Sequence, residues 1–201
     1  MKMGYAASMT RRNVRSAKLD DIADAFRTYG YDGASMSILS SKTGWGRASL
    51  YHHFPGGKNE MALKALGHVA ANAQSLVLEH LRGSDTPMVR LQRFATSLTK
   101  FYRQGQGNCL LGTMALSGGL HACSDQLKNG MQEWLTAIAA VLVEAGFSRP
   151  EAARRSEGAL IHIQGALVVS RCLQNEEPFQ RMLRELPSIL MRPHRKRGSQ
   201  G

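Results

Sequence analysis

The sequence predicts an all-α protein, on three observations. Apolar residues recur three and four apart through segment after segment, which is the period of a helix packed along one side. Glycine, proline and small polar residues fall at the ends of those segments, where helices start and stop. No stretch alternates apolar and polar residues as a half-buried strand does, and no internal repeat is visible. The organisation expected is a small helical unit over residues 1–57, a larger helical domain over 58–191 and a basic disordered tail over 192–201.

Taken in order, residues 1–9 read as disordered, and the first helix runs from about Thr10 to Tyr29 with Leu19, Ile22, Ala23, Phe26 and Tyr29 as its buried stripe. Asp20, Asp21 and Asp24 lie off that stripe and form a solvated face. Arg11, Arg12 and Arg15 either reach a phosphate or are plain surface charge. Ser35 caps a short second helix, because its hydroxyl accepts from an otherwise orphaned backbone N–H. Met36 and Leu39 share one face of it, and Gly44 ends it, since glycine tolerates the positive-φ turn required there. A third helix spans about Arg47 to His53 with Leu50 and Phe54 facing inward, and Pro55-Gly56-Gly57 stops it.

A long fourth helix follows, from Lys58 to about Leu81, with Met61, Ala65, Leu66, Val69, Ala73, Leu76 and Val77 along its stripe. Such a rod suits the transmission of a signal between domains. Pro87 stands in the first turn of the next helix, which reaches about Arg103 and carries Leu91, Phe94, Leu98, Phe101 and Tyr102. A short helix from about Cys109 carries Leu110, Leu111, Met114 and Leu116 and closes at Gly118-Gly119. Helix 124–145 presents Leu127, Met131, Trp134, Leu135, Ile138, Val141 and Leu142, with Gly146 as its C-cap. Ser148 and Pro150 open the eighth helix, which runs to about Leu173, and the ninth spans 178–191. The eighth is apolar over much of its circumference, so one face needs a cover that its own stripe does not supply.

Two short helices about a tight turn, the second with a polar outer face, suit a helix-turn-helix, whose second helix lies in the DNA major groove. The side chains fit that task. Arg47 can fork onto a guanine edge or a phosphate, Ser49 can bond either, and Tyr51, His52 and His53 can donate to phosphate oxygens. Trp45 and Ala48 complete the helix face that would meet the groove, and Ser35 and Lys58 stand at neighbouring helix starts, where an anion is favoured. Charge agrees with this placement. The net charge is +11, yet residues 65–180 hold ten Lys and Arg against nine Asp and Glu, whereas residues 1–64 hold ten against five and residues 181–201 hold six against one. Basic ends of this kind raise encounter rates with phosphate polyanions and make binding salt-dependent. General solubility charge is the plainer alternative.

These residues resemble the TetR family of bacterial transcriptional regulators. The resemblance covers Leu19–Phe26, Gly30-Tyr31-Asp32-Gly33, Ser35-Met36, Thr43-Gly44, Ser49–Pro55 and Gly57-Lys58-Asn59-Glu60-Met61, roughly the first third of the chain. The extra glycine before Lys58 is similar, more narrowly, to the LmrA/YxaF-type drug- and flavonoid-responsive repressors. Two positions depart from the pattern. Trp45 stands where the family usually has a small aliphatic residue, and its ring could pack on a sugar or a thymine methyl; Gly46 stands where a Ser or Thr cap is usual. The resemblance implies a three-helix helix-turn-helix DNA-binding domain followed by a helical ligand-binding and dimerisation domain. It further implies a homodimeric repressor on a palindromic double-stranded operator, paired through the helices at 150–173 and 178–191 and released by a small hydrophobic inducer.

For the inducer site the candidates are Phe94, Phe101, Met114, Met131 and Trp134, an adaptable apolar wall, with His162 and Gln164 as polar points. The same side chains also suit a plain core, and His162 and Gln164 could instead meet neighbours or a partner subunit. Cys109, Cys123 and Cys172 form no CxxC pair, so neither a zinc site nor a disulfide framework is expected. Cys109 opens a short helix and is either a thiol sensor or an inert cysteine. No signal-like or membrane-length apolar run is present, which points to the cytoplasm. With no HExxH, no GxSxG and no cysteine–histidine cluster, an enzyme is not expected, nor a catalytic metal or cofactor.

Overall fold

The computed structural model describes residues 3–193, with side chains from Ser16 onward, so the Arg11, Arg12 and Arg15 side chains and the basic tail from His194 lie outside the described residues. Ten α-helices form among the described residues, and no strand does. They are α1 (Met3–Gly33), α2 (Met36–Thr43), α3 (Arg47–His53), α4 (Gly57–Leu76), α5 (Pro87–Phe101), α6 (Leu110–Ala115), α7 (Gly119–Ala122), α8 (Ser124–Glu144), α9 (Arg149–Cys172) and α10 (Glu177–Met191). The all-α class and the helix-turn-helix are as expected. Among the described residues no helix is long and apolar enough to cross a membrane.

Several boundaries differ from the expectation, each for a physical reason. Helix α1 reaches back to Met3 instead of starting near Thr10, because nothing in Tyr5-Ala6-Ala7-Ser8-Met9 breaks a helix. It is also interrupted late, at Gly30, where φ is 66°. Tyr29, expected in the buried stripe, is 45% exposed beside that interruption. Helix α4 stops at Leu76, which turns outward, and a single 3₁₀ turn over Leu78–Leu81 follows. A three-residue turn aligns positions three apart, and Leu78 and Leu81 are accordingly both buried. The short helix expected to close at Gly118-Gly119 is α6 and ends at Ala115, a further short helix α7 that was not expected follows, and Leu116 between them is exposed instead of buried.

Contacts divide the chain into two compact units. The first runs to Ser75 and includes Asn108–Glu133; the second is Leu76–Gly107 together with the chain from Trp134 onward. The border therefore falls inside α4 and inside α8. The core of the first unit joins Ile22, Ala23 and Phe26 of α1, Leu39 of α2, Leu50 of α3, Phe54, Met61, Ala65 and Leu66 of α4, and Leu110, Met114, Cys123 and Leu127. Polar ties pin the Tyr31-Asp32 turn within this unit. The Tyr31 N–H donates to Ser117 Oγ at 3.1 Å, and the Gly118 N–H donates to the Asp32 carboxylate at 2.8 Å. A methyl group on Gly118 would collide with that carboxylate, which is why glycine stands there.

In the second unit, Phe94, Phe101, Tyr102, Trp134 and Phe179 form a continuous chain of ring contacts. Arg90 is buried there and pairs with Glu144 while donating to the Gly83 carbonyl at 3.1 Å. Helices α9 and α10 are joined by Arg155, which donates to the Leu190 carbonyl at 2.7 Å, and by the Phe179 N–H, which donates to Ser170 Oγ at 2.9 Å. Helix α9 buries Leu160, Ile163 and Leu167. Ala152 and Ala159 are buried as well, whereas Ile161 and Val168 face out, 70% and 62% exposed, as does Leu173 at the C-cap, 62% exposed.

Leu50 is fully buried and is the only buried residue of α3. Leu50→Ala is expected to cost about 2–5 kcal/mol, the usual range for emptying a leucine site in a packed core. A urea titration followed by circular dichroism checks it through the midpoint of the first transition.

Candidate nucleic-acid interface

The helix-turn-helix is assembled from short-range bonds that its sequence makes possible. Ser35 caps α2, its Oγ accepting from the Ile38 N–H at 3.3 Å. Gly44 closes α2 in the left-handed region, with φ 66° and ψ 11°. Beside it, Thr43 Oγ1 donates to the Leu39 carbonyl at 2.7 Å and accepts from the Trp45 N–H at 3.2 Å. Ser40 Oγ donates to the Trp45 carbonyl at 2.7 Å. Two hydroxyls, those of Thr43 and Ser40, thus fix the turn alongside the glycine. Gly46 then serves as the N-cap of α3 with no side-chain bond.

Helix α3 is held to the first unit by Leu50, with Phe54 buried directly after it. Arg47, Ala48, Ser49, Tyr51, His52 and His53 are all exposed. This is the distribution a groove-reading helix needs. The Arg47 guanidinium is not loose, because Nη2 donates to Ser37 Oγ at 2.6 Å. Lys58 is half-buried at the start of α4; its Nζ donates to the Asp32 carbonyl at 3.3 Å and lies 4.6 Å from the Tyr31 ring centre. No Asp or Glu occurs between Gly33 and Asn59, and Glu60 turns its carboxylate to the Gly56 N–H at 2.9 Å. The face is therefore cationic, with no carboxylate of its own segment opposing it.

Trp45 is half-buried and packs against the core. One face of its ring stacks on His53 at 4.3 Å, and His52 meets His53 edge-on at 5.3 Å. Tyr51 is 50% exposed, and the edge of its ring lies beside Gly57, whose φ is 64°.

The structure spreads the inducer candidates. Phe94, Phe101 and Trp134 are brought together in the second unit, with Trp134 about 6 Å from each of the other rings. Met114 is fully buried in the core of the first unit, and Met131 belongs to that unit as well. Gln164 is half-buried on α9. His162 is exposed and lines a groove of about 420 Å³ between α9 and α10 with Arg155, Leu186, Ile189 and Leu190. The three cysteines are free. Cys109 is the half-buried N-cap of α6, Cys172 is exposed, and burial pushes the Cys123 thiol up. Burial also raises the Tyr31 phenol, helped by Cys123 and Asp32.

Comparison with known proteins agrees with this geometry. Residues 19–65 match the model described as bacterial regulatory proteins, tetR family. Residues 87–185 match the transcriptional regulator LmrA/YxaF-like C-terminal domain. The HTH-type transcriptional regulator LmrA of Bacillus subtilis (strain 168) is 24% identical over 176 residues, covering 83% of this chain and 91% of that protein. A TetR transcriptional regulator from Legionella pneumophila has the same fold, with a TM-score of 0.76 at 16% identity over 86% of this chain and 94% of that one. A cysteine mutant of the TetR family regulator CifR, solved with 26-base-pair operator DNA, matches at a TM-score of 0.70 and 21% identity over 87% and 95% of the two chains.

The turn gives a direct test. Thr43 is buried, and a valine of equal shape would leave the Trp45 N–H without its acceptor. Thr43→Val is expected to destabilise by about 1–3 kcal/mol, the usual cost of an unsatisfied polar group, and Thr43→Ser by clearly less. Urea denaturation of the two variants side by side measures the difference.

Proposed function

Because this chain belongs to the TetR family of bacterial transcriptional regulators, with an LmrA/YxaF-like C-terminal domain, we propose that it is a ligand-released repressor. Proteins of this family are regulators and not enzymes, and repression is their usual mode. In this reading two copies bind one palindromic operator, each placing α3 in the major groove. The observation that carries it is the outward, carboxylate-free face of α3, with Arg47, Ser49, Tyr51 and His52 exposed around a single buried anchor, Leu50. The operator complex of CifR supports duplex DNA as the partner.

Dimerisation runs through α9 and α10. Ile161, Val168 and Val169 of α9 and Leu173 at its C-cap are exposed apolar side chains, and a second copy pairing about a two-fold axis would cover them. Such a dimer sets the two recognition helices about one DNA turn apart, about 34–36 Å, or at another palindromic spacing. Residues 58–191 act as the ligand-binding and dimerisation part. Within it the Phe94–Phe101–Trp134 cluster, with Gln164 as a polar point, suits a flat hydrophobic inducer. Release requires that the inducer bind more tightly to a state in which α4 carries the two recognition helices out of operator spacing.

Selection from a random-sequence duplex pool is expected to enrich a palindrome, and recovery without enrichment would overturn the reading. On the selected operator, Arg47→Ala is expected to lose about 1–3 kcal/mol if the guanidinium forks onto guanine. Loss of the same size on random duplex would make Arg47 a phosphate contact instead. Replacing Ile161 and Val168 together by Asp is expected to yield monomers in sedimentation velocity and to abolish operator binding while leaving the helical circular dichroism intact.

A further inference from the structure

We infer that Ser37 aims Arg47, and through it decides which base pair the first turn of the recognition helix reads. The inference rests on the DNA-binding reading above and deepens it. Arg47 is the first residue of α3, where a long exposed side chain would ordinarily sample many rotamers. Here its Nη2 donates to Ser37 Oγ at 2.6 Å, across the turn from α3 to α2. Ser37 is itself a fixed point. It lies in the first turn of α2, two residues after the Ser35 cap and two before the fully buried Leu39.

The chemistry of the tether suits a reader and not a structural ion pair. A guanidinium has five N–H donors in a planar fork, and one bond to a hydroxyl leaves enough of them for a bidentate contact to guanine O6 and N7. A hydroxyl acceptor also leaves the positive charge whole, where a carboxylate would cancel it. The nearest carboxylates in the chain are already engaged, Asp32 with the Gly118 N–H and Glu60 with the Gly56 N–H. Holding the fork in one place before contact removes part of the ordering cost that an exposed arginine carries into a complex. Ser37 is thus a positioning residue that acts through Arg47.

The test uses the full chain, with fluorescence anisotropy on the selected operator, on a random duplex of equal length and on operators altered at one symmetric base pair at a time. Ser37→Ala is expected to weaken operator binding by roughly three- to tenfold, the loss from freeing one side chain. Binding to random duplex should change less than twofold. The lost discrimination should fall at the same base pair that Arg47→Ala relaxes. Ser37→Thr, which keeps a hydroxyl, should restore most of it. The double variant Ser37→Ala/Arg47→Ala should bind no more weakly than Arg47→Ala alone. Additive losses in the double variant would show that Ser37 touches DNA on its own account and overturn the proposal. Unchanged binding by Ser37→Ala, or equal losses on both duplexes, would also overturn it while leaving the regulator reading in place. Wild-type protein that binds operator and random duplex alike would overturn both.

Discussion

The exposed face of α3, the proposed recognition surface, depends on the burial of Leu50 and Phe54 in the core of the first unit. A seven-residue helix has too few internal hydrogen bonds to persist alone in water, so α3 exists only as far as its packing holds it. With Leu50 fully buried and Phe54 1% exposed at its end, the rotation of the helix about its axis is set. Every other residue of α3 is then exposed. The hydroxyls of Thr43 and Ser40 act on the same problem from the other side, because they fix the backbone at Trp45 that leads into the helix. Apolar anchoring chooses the face, and the turn chemistry chooses the entry angle.

A second constraint runs through α9. Its sequence is apolar around most of its circumference, and one chain covers only part of it. Leu160, Ile163 and Leu167 are buried within the second unit, while Ile161, Val168 and Leu173 are not. Water-exposed apolar surface on this scale is unfavourable for an isolated chain and favourable for association. In the proposed regulator, operator reading and pairing of copies are linked by physics. A palindrome can be read by two α3 helices only when something holds them in register, and in that proposal the exposed face of α9 does so.

Much of the candidate site was legible from residue types and spacing. The Ser35 cap, the Gly44 turn, the inward Leu50 and Phe54 and the outward Arg47, Ser49 and Tyr51 all follow from local rules, and each stands where those rules put it. Trp45 did not. Its ring stacks on His53, a contact between residues on either side of the helix start that no periodicity encodes. Ser37 gave no signal either, since an exposed serine two positions after a cap is unremarkable until the Arg47 fork is seen to reach it. Among the inducer candidates, Met114 and Trp134 look alike as stripe residues, yet contacts place them in different compact units.

By itself the sequence determined what depends on neighbours close along the chain: the presence of most helices, the glycine and proline stops, the charge of the N-terminal unit and the family motif. Tertiary structure alone decided which apolar stripes are covered and by what. It assigned Asn108–Glu133 to the unit that carries the recognition helix, left one face of α9 bare and turned Leu116 outward. The reason is that periodicity reports only that a face is apolar. Which surface meets that face is set by packing between segments tens of residues apart, where no local preference reaches.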